Sequence, residues 1–419
     1  MFALVLSACA VIKPGSLSVS QPGGIGAARV HFVICTEPEE GTCQPNETSS
    51  EVQYLLGVAV PPGSSAPATI TATPNGAGDP IVFTRNAEVG PEMAAAIADL
   101  RANAPEEVEE SWPPAGLEPV GYLSGVVNEA KEATHEWTVD ADFGLPTPAD
   151  GAPFVGPFQT SPAWGLRIVN SENSSSRPVH CFRLSPEEAP EESESFCFPS
   201  GEKAEVGTSD LKVGAAPTGT AFVGGQGTLQ FPLNFGSTAA SLPSFNVTAT
   251  STLPGATLAV SSPTFAPPAP AADTHRSAGT ETVTVTVPKT AAPGVYDVTL
   301  TAATSGGGSV SQVAKFEVGK PKLKFGKVKL NKKKGTATLS VNVSTAGTLT
   351  ASGKKIAKAQ RKSTGPATLK VTIKAKGKAK RLLNEKGKAK VRAKLSFAPT
   401  SGAPVVKSKA IVLKKTLAG

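Results

Sequence analysis

The sequence predicts a mainly β protein made of tandem β-sandwich domains, with one short helix in the N-terminal domain. Three observations carry that prediction. Gly and Pro together fill 41 and 37 of 419 positions, close to a fifth, which excludes long helices as the main architecture. Apolar and polar residues alternate with period two in many short runs bounded by Pro, Gly or Asn. Composition also shifts twice along the chain, near Gly207 and near Lys320. These shifts set off residues 207–318 and 320–419, and the apolar start sets residues 1–14 apart from 15–206.

Residues 15–206 form an acidic, strand-dominated domain. Its alternating runs are Arg29–Cys35, Tyr54–Val60, Ala68–Ala72, His135–Val139 and Trp164–Val169. The expected helix starts near Pro91, a residue suited to the first helical position, and places Met93, Ile97 and Leu100 at helical spacing. Ala104–Pro114 reads as a loop, because its glutamates repel one another and its prolines remove backbone donors.

Residues 207–318 are almost free of charge and rich in Thr, Ser, Ala and Val. Strands are expected at Thr228–Phe235, Phe245–Ala249, Thr282–Val287 and Val295–Ala302, the pattern of a β-sandwich. The segment Val287-Pro-Lys-Thr-Ala-Ala-Pro-Gly-Val-Tyr-Asp-Val-Thr-Leu-Thr-Ala302 resembles the closing hairpin of bacterial immunoglobulin-like domains, including those associated with alpha-galactosidases. The resemblance implies an immunoglobulin-like sandwich of about a hundred residues, with Pro-Gly making the turn and Tyr296 packing on the opposing sheet. No binding residue carries over.

Residues 320–419 write lysine on one face of each strand. In Lys322–Leu330 and Ala389–Phe397 cations alternate with apolar residues, so one face packs and the other is solvated. Further strands are expected at 336–343, 348–352, 367–373 and 405–413, with a helical turn or two around Ala379–Glu385. The pattern resembles the lysine-rich C-terminal β-domains of exported proteins from high-GC bacteria, a family marked by composition and alternation. No function is imported from it.

The net charge of +7 conceals a polarity. Residues 1–319 carry 13 Lys and Arg against 33 Asp and Glu, whereas residues 320–419 carry 28 against one, Glu385. A cationic surface this dense draws anionic polymers, headgroups or acidic proteins through screened attraction. Lysine outnumbers arginine 25 to three there, which favours diffuse phosphate attraction over bidentate recognition. The region's only aromatics, Phe325 and Phe397, fall on the packed face, so stacking on nucleic-acid bases is not expected. The candidate polyanion contacts are Lys332, Lys333, Lys334, Lys354, Lys355, Lys374, Lys376, Lys378 and Lys380, taken as a charge field and not a shaped site.

At the N-terminus, Met1-Phe-Ala-Leu-Val-Leu-Ser-Ala-Cys9 is a short apolar run ending in Leu-Ser-Ala-Cys. It resembles the bacterial lipoprotein signal, which implies acylation of Cys9 and anchoring through two or three acyl chains. The run lacks a cationic lead and is short, so the signal is expected to begin upstream of Met1. Setting Cys9 aside leaves Cys35, Cys43, Cys181 and Cys197. Three connectivities are formally open, and closure of two local loops, Cys35 with Cys43 and Cys181 with Cys197, is the expected one. Each bridge would contribute about 2–3 kcal/mol in the chain-entropy model.

Catalytic constellations are weak. His135-Glu136-Trp-Thr-Val139 has valine where a zinc protease needs its second histidine, and Gly121-Tyr-Leu-Ser124-Gly125 has the wrong spacing for a nucleophile elbow and is expected to be a buried turn. A triad assembled from Ser124, His180 and Asp142 would rest on geometry alone. Gly24-Ile-Gly26 and Gly225-Gln-Gly227 lack the third glycine of a phosphate loop. Asp140, Asp142 and Asp150 offer oxygen ligands to calcium, but no EF-hand spacing is present and a solvated acidic surface accounts for them.

The expectation is therefore a non-enzymatic cell-surface lipoprotein, needing no cofactor, whose cationic C-terminal domain binds anionic envelope polymers or headgroups and no nucleic acid. The competing class is an exported carbohydrate-binding protein or hydrolase with its site in the N-terminal domain, near Trp112, Trp137 and Trp164.

Overall fold

A computed structural model describes residues 10–36, 50–103, 111–129, 136–168, 195–400 and 402–417. Among the described residues the chain is mainly β, with two short helices; three hydrophobic cores lie between its sheet faces and a fourth lies beneath the first helix.

The N-terminal core lies inside a single eleven-stranded sheet. Ala27–Thr36 pairs with Glu136–Gly144, and the path continues through Thr69–Pro74, Ile81–Arg85, Glu118–Glu129 and Ser50–Val60 to Phe158–Ile168 and Ser195–Pro199. Ala10–Ile12 adds to the far edge of Ala27–Thr36 and approaches Phe158–Ile168, so the sheet curls until its ends meet. Two walls of one sheet thus face each other across a shared core containing Phe32, Tyr54, Phe83, Phe143 and Trp164. Residues 10–12, expected to be linker, are part of this sheet because Val11 and Ile12 take up register with Cys35 and Ile34.

Ser50–Val60 is buried on both faces. Tyr54, Leu56 and Val58 point into the core, while Leu55 and Ala59 point outward beneath helix α1, Val89–Asn103. Met93, Ile97 and Leu100 form the inner stripe of α1 at the spacing seen in the sequence, and Trp112 closes the layer. The close approach depends on Gly121: a Cβ there would collide with the backbone nitrogen of Gly90. Alanine at 121 would push the helix off the sheet.

The middle domain is a two-sheet sandwich. One sheet orders Ser209–Val213, Gln226–Ser237, Arg276–Thr286 and Thr257–Val260; the other orders Thr218–Phe222, Ser309–Gly319, Gly294–Ala303, Phe245–Ser251 and Thr264–Phe265. Leu229, Phe231, Leu233 and Phe235 face Val298, Leu300, Ala302 and Phe316 across the core. The expected closing hairpin does not form: Arg276–Thr286 and Gly294–Ala303 belong to different sheets, and the tight turn falls at Lys289 and Thr290, ahead of Pro293 and Gly294, so the segment crosses from one sheet to the other. Tyr296 packs against the core, and its hydroxyl donates to the carbonyl of Ala292 at 2.9 Å, tying that crossover to the strand it feeds. Glu281 is an inward-facing carboxylate with no exposure, held by the hydroxyl of Ser261 at 2.7 Å and the amide of Ser262 at 2.8 Å.

The third domain stacks a sheet of Leu323–Asn331, Thr336–Val343 and Ala367–Lys374 on one of Ala359–Ser363, Gly347–Ser352, Lys388–Pro399 and Val405–Lys414. The alternation expected at 389–397 holds: Ala389, Val391, Ala393, Leu395 and Phe397 are buried, while Lys388, Lys390, Arg392 and Lys394 are exposed. Helix α2, Lys378–Lys386, covers one end and stops at Gly387, whose φ of 63° is the left-handed conformation that glycine adopts without strain.

The two joints differ. Between the first and middle domains the side-chain amide of Gln21 both donates to the carbonyl of Ser209 at 2.9 Å and accepts from its amide at 2.8 Å. Ile25 inserts into the middle core, the amide of Phe154 donates to buried Asp210 at 3.1 Å, and Thr208 donates to the carbonyl of Gly156 at 2.6 Å. Between the middle and third domains, the amide of Ala403 donates to the carbonyl of Val223 at 2.7 Å and Gly402 packs close to Phe222.

Candidate polyanion-contact surface

Strand direction decides where the lysines go. Leu323 follows directly on the joint with the middle domain, so Leu323–Asn331 runs away from it, and Gly347–Ser352, Ala367–Lys374 and Val405–Lys414 run the same way, by register. Connections at the joint end, residues 344–346, 364–366, 400 and 402–404, carry no ionisable side chain. Connections at the opposite end, the tip, carry the cations.

All nine candidate lysines lie at that tip, and all are exposed. Lys332, Lys333 and Lys334 occupy a turn closed by the amide of Lys334 donating to the side chain of Asn331 at 3.0 Å, with Gly335 at φ 64°. Thr336, just after this turn, pairs with Lys374. The amide of Lys376 donates to the carbonyl of Lys355 at 3.0 Å, and Ile356 bridges Ala375, which brings the 354–355 turn beside Lys374, Lys376 and the start of α2 with Lys378 and Lys380. The amide of Thr416 donates to the carbonyl of Lys332 at 3.0 Å, folding the last strand's exit onto the same end.

Six further cations join them: Lys358, Arg381, Lys386, Lys388, Lys414 and Lys415. Sequence reasoning left these out because nothing in a linear reading separates tip from strand face. The only carboxylate of the region, Glu385, sits in α2.

The local electrostatics are unfavourable to the isolated chain. α2 begins at Gly377 with no side-chain cap and no acidic residue in its first turn, and Lys378 and Lys380 stand at the positive end of its dipole. Lys388 lies directly across the sheet from Lys414. Among the described residues no lysine beyond Gly319 makes an ion pair. Lys409 differs from the rest: it is half-buried, with its ammonium 5.2 Å from the ring centre of Phe325, and serves the fold. Leu382 and Leu417 are 40% and 44% exposed at this same end. Adjacent Leu382 and Leu383 could not both face inward on one helix, a signal the sequence contained.

The N-terminal candidates are placed differently. Cys9, Cys43, Cys181 and His180 lie outside the described residues. Cys35 is fully buried and disulfide-bonded; Cys197 stands in strand Ser195–Pro199, opposite Gly165. Trp112, Trp137 and Trp164 are 3%, 4% and 1% exposed, so none offers an indole face to a saccharide, and Trp112 donates to the carbonyl of Ser161 at 3.0 Å. A cavity of about 620 Å³ opens between the 75–80 turn and Val126, Val127, Glu136 and Trp137. Gly121–Gly125 is continuous strand and not a turn: Ser124 receives the amide of Tyr54 at 2.8 Å beside a register shift, and donates to Gly125 at 2.6 Å. That hydroxyl is buried and engaged in the fold.

The three aspartates considered for calcium each have a separate neighbour. Arg29 grips Asp142 through two hydrogen bonds of 2.8 Å and holds its carboxyl below the usual range; the bond to Arg29 is the leading cause. Asp140 meets His31 at 3.1 Å, and Asp150 accepts the amide of Ala152 and lies 3.5 Å from Arg276. Among the described residues no group of three metal-ligating side chains occurs.

No family model matches this chain, and no curated protein matches it. Among solved structures it is similar to the cadherin-like domains 1 to 4 of zebrafish RET at 8% identity, covering 70% of this chain and 63% of that one, with a TM-score of 0.30. It is also similar to the C-terminal domain of the Streptococcus pyogenes antigen I/II-family protein AspA, at 10% identity over 75% of this chain and all of that one, TM-score 0.24. The Yersinia pseudotuberculosis adhesin InvE matches at 12% identity over 48% and 58%, TM-score 0.18. At scores of this size nothing about ligand or activity transfers.

Proposed function

We propose that this chain is a non-enzymatic protein of the bacterial cell surface, exported and held by a lipid on Cys9, whose third domain holds anionic envelope polymers or headgroups at its tip. The observation that carries the reading is the collection of fifteen cations at one end of the third domain without a carboxylate partner among the described residues. Like charges so placed repel one another, and an external polyanion removes that cost by releasing counterions and supplying the missing partner. Ala10, which follows Cys9, begins a strand at the end of the first domain remote from the joint. An acyl group on Cys9 would then place the anchor and the cationic tip at opposite ends of a three-domain strut.

The test is sedimentation of the full chain, carrying Cys9→Ser to remove the acylation site, with isolated bacterial envelope over a salt series. The expected result is retention that weakens steeply as salt rises, and that is lost when Lys332, Lys333, Lys334, Lys354 and Lys355 are all changed to Gln. These side chains are exposed, so the fold should be unaffected. Equal retention of parent and variant, or none at low salt, would contradict the proposal.

A further inference from the structure

The tip is not purely polar. Leu382 projects from α2 between Lys378 and Lys386, its neighbours four residues away on either side, while Ala379 and Leu383 fill the buried stripe. Leu417 leaves the last strand next to Gly387, at the end of the same helix. Val412, 36% exposed, lies across from Lys390 on the adjoining sheet face. Exposed leucines standing singly are ordinary, but two leucines at the end of the domain that also carries the lysines are a specific pairing of chemistries.

A water-soluble polyanion satisfies only the charges. An anionic bilayer satisfies both: its phosphates meet the ammonium groups, and its interfacial acyl region takes the leucines, with the lysine stems lying along the boundary. The tip also suits a flat partner, since its cations sit on turns and one short helix at the strand ends. Resting on the reading above and narrowing it, we propose that the tip docks end-on to an anionic lipid bilayer opposite the one that would hold the acyl group, with Leu382 and Leu417 entering the headgroup boundary and the neighbouring lysines lying on the phosphates.

The experiment uses the full chain with Cys9→Ser and three probes: phosphatidylcholine vesicles, the same vesicles containing phosphatidylglycerol, and long-chain inorganic polyphosphate. Binding to the phosphatidylglycerol vesicles and not to phosphatidylcholine alone is expected. The double variant Leu382→Ser with Leu417→Ser should weaken vesicle binding about tenfold, because roughly half of each side chain is still available to bury. Its affinity for polyphosphate should stay unchanged. Leu382→Trp provides an independent readout, a blue shift of indole emission on the anionic vesicles. Unchanged vesicle binding by the double serine variant, or no shift from the tryptophan, would overturn the insertion. Capture by polyphosphate without capture by anionic vesicles would leave the polyanion reading standing and sink this one; binding to neither would sink both.

Discussion

On the first domain Arg29 lies across the sheet from Asp142 and His31 from Asp140, whereas on the third Lys388 lies across from Lys414. Both are outward-facing cross-strand positions of antiparallel sheets. In the first these pairs help set register, Arg29 ion-paired with Asp142 and His31 hydrogen-bonded to Asp140. In the third the same positions repel, and the sheet stays together because Ala389, Val391, Ala393, Leu395 and Phe397 bury the other face. A domain that carries such a cost in its own electrostatics is not optimised for stability alone, and the anionic partner proposed above would offset that cost.

Four measurements sharpen or break that contrast. The largest effect concerns the joint that makes the first two domains a unit. Ile25→Ala should remove about 2–4 kcal/mol from the middle domain in denaturant unfolding, although residue 25 precedes the first domain's long strand. A change of less than about 0.5 kcal/mol would mean the domains are not interlocked. Next, raising ionic strength should raise the melting temperature of the third domain by a few degrees by screening its lysines, and leave the first domain level or slightly lower. A uniform response of both would remove the distinction. Third, burial raises the pKa of the Tyr122 phenol in the first domain. A raised folded pKa contributes stability that is intact below the unfolded value, about 10, and lost as pH rises beyond it, so alkaline melts should weaken the first domain. The Tyr122→Phe variant, which has no phenol to ionise, is the control and should lose that alkaline weakening. Last, Arg29→Gln should cost less than about 1 kcal/mol, since the pair with Asp142 is half exposed. Because the Asp142 carboxyl is held low in the fold, its small contribution is present at neutral pH and fades as pH falls through the carboxylate range; acid titration of the variant against the parent would show the difference vanish.

Much of this organisation was legible in the residues. Period-two alternation located long strands in all three domains, those through 29–35, 228–235 and 389–397 among them, since a half-buried strand must alternate, and Pro91 with Met93, Ile97 and Leu100 located α1; the strands Glu118–Glu129 and Ser309–Gly319 were not found. What stayed hidden depends on contacts between distant segments. Gly121 and Gly125 looked like a turn, yet glycine stands at 121 because α1 comes within contact of the strand there. Ala10–Ile12 is too short to show a period, and becomes strand only because an edge of Ala27–Thr36 is free to receive it. The nine lysines could be chosen by density, but that Lys332 and Lys380 share one end follows from the register of four strands. Buried tryptophans were misleading: Trp137 and Trp164 stand in alternating runs and could lie on either face until the sheet closes, and Trp112, in a loop, is covered with the helix layer; here all three lie inside.

The most direct test of the central claim is a calorimetric scan of the full chain with Cys9→Ser at low salt, with and without long-chain polyphosphate. If the third domain's cations await an anionic partner, its transition alone should move upward with polyphosphate concentration, following the mass-action dependence on free ligand. A third-domain transition that stays in place, or an equal shift of every transition, would contradict the account.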